Sequence, residues 1–252
     1  MGNAPFIGDS RRPSRVIIVA VRRVFPEPPG AVSLDELYGD PPRPRVGSRP
    51  WVGLCMVASL DGSTVLAGRS GGLSNPDDTA VLATLRRAAD AVIVGAATVR
   101  KEGYGPPKKP GQRIGVVTAT GDIDPASALF RSGSGFLIMP EDGTPPSGPG
   151  GPPDVVRAGH GQVDIARALG RLGEVMPAPT YVQAEGGARL NGSLLEADCV
   201  DELDLTISPL LVGGDGPRVT AGGGAVTAGF ELAHVLVDER SFLYTRWLRR
   251  PD

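Results

Sequence analysis

Residues 181–214, "YVQAEGGARLNGSLLEADCVDELDLTISPLLVGG", hold one complete strand–helix–strand unit. "YVQA" is a short run of strand character. Gly186 and Gly187 interrupt it, "ARLNGSLLEADCV" reads as a helix, and "ELDLTISPLLVGG" returns to a strand. A helical crossover between two strands is the connection that parallel pairing requires. A carboxylate, Glu185, stands where the first strand gives way to the glycines. Carboxylates and bare backbone are poor packing material, so the turn calls for an explanation beyond the core.

The same alternation continues outward. "WVGLCMVASLDG" is a nearly unbroken apolar strand ending at the turn signal Asp61–Gly62, and a run without polar alternation is covered on both faces. "SNPDDTAVLATLRRAADA" starts as a helix should: Ser74 or Asn75 caps it, Pro76 occupies the first turn, and Asp77 and Asp78 meet the positive end of the dipole. "DAVIVGA", "RIGVVTATG", "SGFLIMP" and "DVVRAG" are further short strands, with helices at "ATVRKEG" and "VDIARALGRLGEVM". "SRVIIVAVRRVF" opens the chain as a strand, and "SLDELY" forms a helical turn that Ser33 can cap. "FELAHVLVDERSFLYTRWLRR" closes it as an antiparallel hairpin. The expected class is α/β: a central mixed, mostly parallel sheet flanked by helices, with a C-terminal antiparallel hairpin. Residues 1–49 are read as an N-terminal strand and surface extension of the same domain as 50–252.

Composition removes several classes of function. The chain has 252 residues and a formal net charge of -2, with its basic residues scattered, which argues against nucleic-acid and anionic-membrane binding. No run reaches the roughly 18 apolar residues of a membrane span. Cys55 and Cys199 lie far apart and His160 and His234 have no thiol nearby, so no metal site is expected. A reduced, cytoplasmic protein is the expectation.

In an open α/β sheet, ligands bind beyond the carboxyl ends of the strands. Three such ends carry unusual residues here. "VASLDG" places Ser59 and Asp61 past a buried strand, although an ordinary turn has the same composition. "VIVGAATV" takes Gly95 at a strand end into Thr98 at a helix start, where free N–H groups favour a phosphate. The third is the Glu185–Gly186–Gly187 turn. It lacks the GxGxxG spacing of the common dinucleotide fingerprint. Together the three point to a phosphorylated nucleotide or dinucleotide.

"ASLDG", "SNPDD…LRRAADAVIVGAATVRKEG" and "EGGARL…DELDLTISPLLVGG" resemble the reductase domain of bacterial riboflavin biosynthesis, in that family's order and spacing, over roughly Pro50 to Trp247. The segments "SLDELYGDP" and "FLYTRW" resemble its stand-alone actinobacterial branch. The resemblance implies a dihydrofolate reductase-like fold and an NADPH-dependent reductase, commonly a homodimer. The hydride would go to ribose C1′ of a ring-opened aminopyrimidine ribosyl phosphate. Carried over by motif, Ala58, Gly95, Thr98, Glu102, Thr118 and the loop from Gly186 through Gly187, Ala188, Arg189 and Leu190 on to Ser193 would hold the cofactor. Ser59, Ser70, Arg86 and Glu185 would face the substrate, and Glu185 or Asp61 would manage the proton.

This chain departs from the family in places. Cys55 stands near the family's lysine, "EGYGPPKK" replaces "DxPxLTxR", and Gly72 replaces a tryptophan. Lys108 and Lys109 are the candidates to replace the missing arginine, but a lysine point charge does not reproduce a guanidinium fork. The His-x-Glu and Pro-Cys-x-x-Cys pattern of a zinc deaminase is missing. A dihydrofolate, pterin-like or other heterocycle reductase and a non-catalytic nucleotide-binding protein stay open beside the pyrimidine reductase.

Overall fold

The computed structural model describes residues 21–250 except 40 and 149. The beginning of the first expected strand, in "SRVIIVA", lies outside them. The strands are β1 (Val21–Phe25), β2 (Gly30–Ala31), β3 (Trp51–Ala58), β4 (Ala91–Gly95), β5 (Arg113–Val117), β6 (Gly135–Met139), β7 (Val155–Arg157), β8 (Tyr181–Ala184), β9 (Glu202–Ile207), β10 (Phe230–Asp238) and β11 (Leu243–Arg249). The helices are α1 (Pro76–Ala88), α2 (Ala96–Glu102), α3 (Ala128–Arg131), α4 (Ile165–Gly170) and α5 (Ala188–Glu196). All eleven strands form one sheet in the order β2-β1-β10-β11-β9-β3-β8-β4-β5-β6-β7.

From β9 to β7 every neighbouring pair is parallel. From β9 back to β2 every pair is antiparallel, including the β10–β11 hairpin. The mixed, mostly parallel sheet and terminal hairpin expected from the sequence are present. "SLDELY" is a single π-helical turn, Asp35–Gly39, which Leu37 enters by donating to the Ser33 carbonyl.

Local chemistry accounts for the helix that matters most to the site. Asn75 caps α1 by accepting from the Asp78 N–H at 2.8 Å, and Pro76 follows it. At the other end Lys109 Nζ and Gln112 Nε2 both donate to the Ala89 carbonyl, at 2.8 and 2.7 Å. Central strands are covered on both sides. Ala91 and Ile93 of β4 join the core under α4 and α5, while Val92 and Val94 join the one around Leu129 of α3.

The antiparallel wing is built differently. Glu202, Asp204 and Thr206 of β9 face inward, and Leu203, Leu205 and Ile207 are left half-buried. Glu202, at 0% exposure, accepts from Arg43 Nε and Nη2 at 2.8 Å each, Arg246 Nε at 2.7 Å and Trp51 Nε1 at 3.0 Å. Burial alone would raise its carboxyl, and the guanidinium hydrogen bonds overturn that and hold it at about 2. Asp204 beside it is raised, by burial and by the Glu202 charge. Arg43 thereby fastens the segment before β3 to the sheet.

His234 of β10 packs edge-on to Tyr38 with ring centroids 4.9 Å apart, and its Nε2 is buried without a partner. Burial lowers its pKa from 6.5 to about 4. A depressed histidine contributes stability that is present above the unfolded value and lost as pH falls through the folded one. Wild-type stability is therefore expected to drop by about 3 kcal/mol more than that of His234→Gln between pH 6.5 and about 4. Urea unfolding across this window checks it; parallel pH profiles for the two proteins would contradict it.

Candidate active site

At the carboxyl ends of the parallel strands lies a cleft of about 890 Å³. Two crossovers meet in its wall. The Gly95 N–H donates to the Gly186 carbonyl at 3.0 Å, and the Glu185 N–H donates to the Ile93 carbonyl at 3.0 Å. Gly186 and Gly187 sit at φ +83° and +77°, a backbone region that side chains strain. A Cβ on Gly186 would stand 2.9 Å from Met56 Sδ, and one on Gly187 would stand 3.3 Å from Thr98 Oγ1. Gly187 is the N-cap of α5 and Gly95 that of α2, and no side chain caps either helix. The first-turn N–H groups of α5 are thus left for an anion.

Glu185 closes the other end of this wall. Its side chain is only 3% exposed. Arg86 grips it bidentately, with Nε to Oε1 and Nη2 to Oε2 both at 2.5 Å. Tyr104 donates its hydroxyl to Oε2 at 2.9 Å, and the Arg86 guanidinium lies 5.4 Å from the Tyr104 ring centre. A planar fork matched to a carboxylate, with a third donor, fixes that carboxylate in one orientation at the cleft wall. Ser70, Ser74, Asp78 and Cys55 line the same cleft.

The residues expected from sequence divide into groups. Gly95, Thr98, Glu102, Thr118, Gly186, Gly187, Ala188, Arg189, Leu190, Ser70 and Glu185 all line the cleft. Within it, Ser70 donates both its N–H and its hydroxyl to Glu102 Oε1, at 3.0 and 3.2 Å, so these two bind one another. Thr118 Oγ1 accepts from the Gly121 N–H and shapes the loop to Asp122. Arg86, expected as a substrate phosphate ligand, is paired with the cleft-lining Glu185 and keeps its side chain 41% exposed.

Ala58, Ser59 and Asp61 stand at the end of β3 outside the residues that line the cleft. Ser59 donates to Asp61, which also accepts from the Val212 and Gly213 N–H groups at 3.1 and 2.7 Å. Those donors hold the Asp61 carboxyl at about 2, so it has no proton to give at neutral pH. It ties the turn after β3 to the loop after β9. Lys109 is occupied at the end of α1, and neither it nor Lys108 is among the residues that line the cleft. Beside Gly72, the space a side chain would enter is filled by Leu66, 3.0 Å from an added Cβ.

Sequence reasoning missed Tyr104, Met56 and the cleft role of Asp78. It also missed Arg100, which lines the cleft and pairs with Asp122 at 3.1 Å. The one available signal was an aromatic residue, Tyr104, in the segment "EGYGPP" just past α2. Among the described residues no cluster of His, Cys, Asp or Glu is arranged to hold a metal ion.

With fold and cleft in place, the comparisons define the class. Residues 50–244 match the family model for the RibD C-terminal domain, and the chain belongs to that family. Among curated proteins it is 28% identical over 210 residues to a 2,5-diamino-6-ribosylamino-4(3H)-pyrimidinone 5′-phosphate reductase of Methanothermobacter thermautotrophicus, covering 78% of this chain and 94% of the relative. A pyrimidine reductase-like protein of Corynebacterium diphtheriae matches with TM-score 0.68 at 21% identity, over 88% of this chain and 97% of that one. A bifunctional deaminase and 5-amino-6-(5-phosphoribosylamino)uracil reductase of Thermotoga maritima matches with TM-score 0.63 at 20% identity, over 81% of this chain and 58% of that one. At such identities the two solved structures speak to the fold, which is dihydrofolate reductase-like.

Proposed function

We propose that this protein is the NADPH-dependent reductase of riboflavin biosynthesis, acting on 5-amino-6-(5-phosphoribosylamino)uracil or its diamino counterpart. The observation that carries the reading is the juxtaposition of an uncapped Gly-Gly helix start with a buried, doubly gripped carboxylate in one cleft. The cleft fits the cofactor. Its glycines leave room where a Cβ would intrude, the α5 amides are free, and Arg189 is exposed and makes no ion pair among the described residues. Gly95, Thr98, Ala188 and Leu190 complete that wall, and Thr118 with its loop receives the adenosine end. When bound, NADPH supplies hydride to C1′ of the ring-opened substrate.

The protein's part is to bind and orient. Glu185 accepts hydrogen bonds from the amino and N–H groups of the pyrimidine, and Arg86 and Tyr104 hold it at the angle this needs. The Arg86 fork is the reason that this carboxylate is held in place as an acceptor.

A homodimer and a cytoplasmic setting belong to the same proposal. Leu203, Leu205 and Ile207 of β9, with Leu243 and Trp247 of β11, share the half-buried face of the antiparallel wing and give an apolar surface for a second copy. Both cysteines are free thiols, and no helix among the described residues is long and apolar enough to cross a membrane.

Titration with NADPH and NADH, followed by turnover on the two pyrimidines and on dihydrofolate, tests the proposal. Tighter NADPH binding and consumption of NADPH only with a ribosylaminopyrimidine phosphate are expected. Turnover of dihydrofolate alone would move the protein to the heterocycle reading that the substitution of Cys55 for the family lysine favours. Binding without any turnover would leave a nucleotide-binding protein.

A further inference from the structure

Adding hydride to an imine requires a proton as well, and the geometry points to Asp78 as the acid that delivers it. This inference rests on the reductase reading above. Among cleft-lining groups able to give a proton, most are already committed. Glu185 is gripped by Arg86, Asp122 pairs with Arg100, and Glu102, which accepts from Ser70, is only half-buried. Tyr104 gives its hydroxyl proton to Glu185. Lys101 is exposed.

Asp78 differs from all of these. It is a buried carboxyl in the first turn of α1, it lines the cleft, and no cation pairs with it among the described residues. Ser74 donates to its Oδ2 at 2.5 Å. The groups facing it are Ser74 on its own helix start, Thr206 on β9 and Cys55 on β3, the last also near Asp204. Cys55, Asp78 and Glu185 all line the same cleft. Burial raises the Asp78 carboxyl against the lowering effect of the Ser74 and Thr206 hydroxyls, and burial pushes the Cys55 thiol well above its usual range. A buried carboxyl with no cation beside it is shifted toward the form that can give a proton, and burial holds the thiol proton back.

The step balances. Hydride from the dihydronicotinamide forms the C–H bond at C1′ and carries two electrons. The C=N π bond opens and its electron pair settles on nitrogen. The Asp78 O–H bond breaks toward that pair, giving the secondary amine and a carboxylate, which water reprotonates after product leaves.

Asp78→Asn tests this with the full chain. The helix cap uses the Asp78 backbone N–H and not its side chain, and an asparagine carbonyl still accepts from Ser74, so the fold is kept. Turnover is expected to fall by roughly 100-fold or more with KM and NADPH affinity nearly unchanged. An infrared difference spectrum of the free proteins, wild type minus variant, is expected to show the C=O stretch of a protonated carboxyl at neutral pH. Retained turnover in the variant, or a missing carboxyl band, would overturn the assignment. Wild-type protein without turnover would instead remove the function itself, and this role with it.

Discussion

Glu185→Gln is expected to lower turnover by roughly 10²- to 10³-fold while leaving NADPH affinity nearly unchanged. The amide keeps size and shape but loses the charge that Arg86 and Tyr104 are arranged around. Arg86 Nε and Nη2 then face one carbonyl oxygen and one NH₂ group, and one of the two bonds becomes a donor–donor clash. The side chain rotates or the fork opens, and the substrate-facing acceptor is lost with it. Stability should change by only about 1–2 kcal/mol, because the Arg86 side chain is 41% exposed and rehydrates when released. This split between kinetics and stability is what distinguishes a functional carboxylate from a structural ion pair. Steady-state kinetics beside thermal melts would show it. Full turnover with a lowered Tm would mean that Glu185 is only a structural partner of Arg86.

Gly187→Val is expected to weaken NADPH binding by more than tenfold and to destabilise the protein by about 1–3 kcal/mol. Two effects act together. Residue 187 lies at φ +77°, which a β-branched side chain strongly disfavours, and its Cβ would stand 3.3 Å from Thr98 Oγ1. The branch would fill the space between the α2 and α5 helix starts, where the cofactor's phosphates are proposed to approach. Calorimetric titration of the folded variant reads the affinity directly. Wild-type affinity in a folded Gly187→Val protein would move the cofactor to another part of the cleft.

The sequence made the parallel half of the sheet legible because each crossover there is marked locally. Asn75–Pro76 starts α1, and Gly95 and Gly186–Gly187 end buried strands. The antiparallel wing was legible as strands but not by face. Alternation in "ELDLTI" by itself sends leucines inward and acids outward. The structure reverses this, because Arg43 and Arg246 bring two guanidinium groups to Glu202 and make the buried carboxylate tenable.

The site followed the same rule. Gly186, Gly187, Thr98 and Glu185 announced themselves through residues that serve packing poorly. Tyr104 did not, since its partner Glu185 is 81 positions away and the hydrogen bond exists only once β8 and the end of α2 meet. Asp61 is the opposite case. Its turn was read correctly, but its brace to Gly213 depends on a loop 152 positions on and leaves it outside the cleft.

The central claim is hydride delivery to C1′ of a ribosylaminopyrimidine phosphate within this cleft. Turnover with NADPH deuterated at C4 of the nicotinamide, followed by NMR of the product, tests it most directly. The account predicts deuterium at C1′ of a ribityl product from one of the two C4-deuterated epimers. Deuterium in the pyrimidine ring, or reduction of a pterin with the ribosyl phosphate left intact, would contradict it.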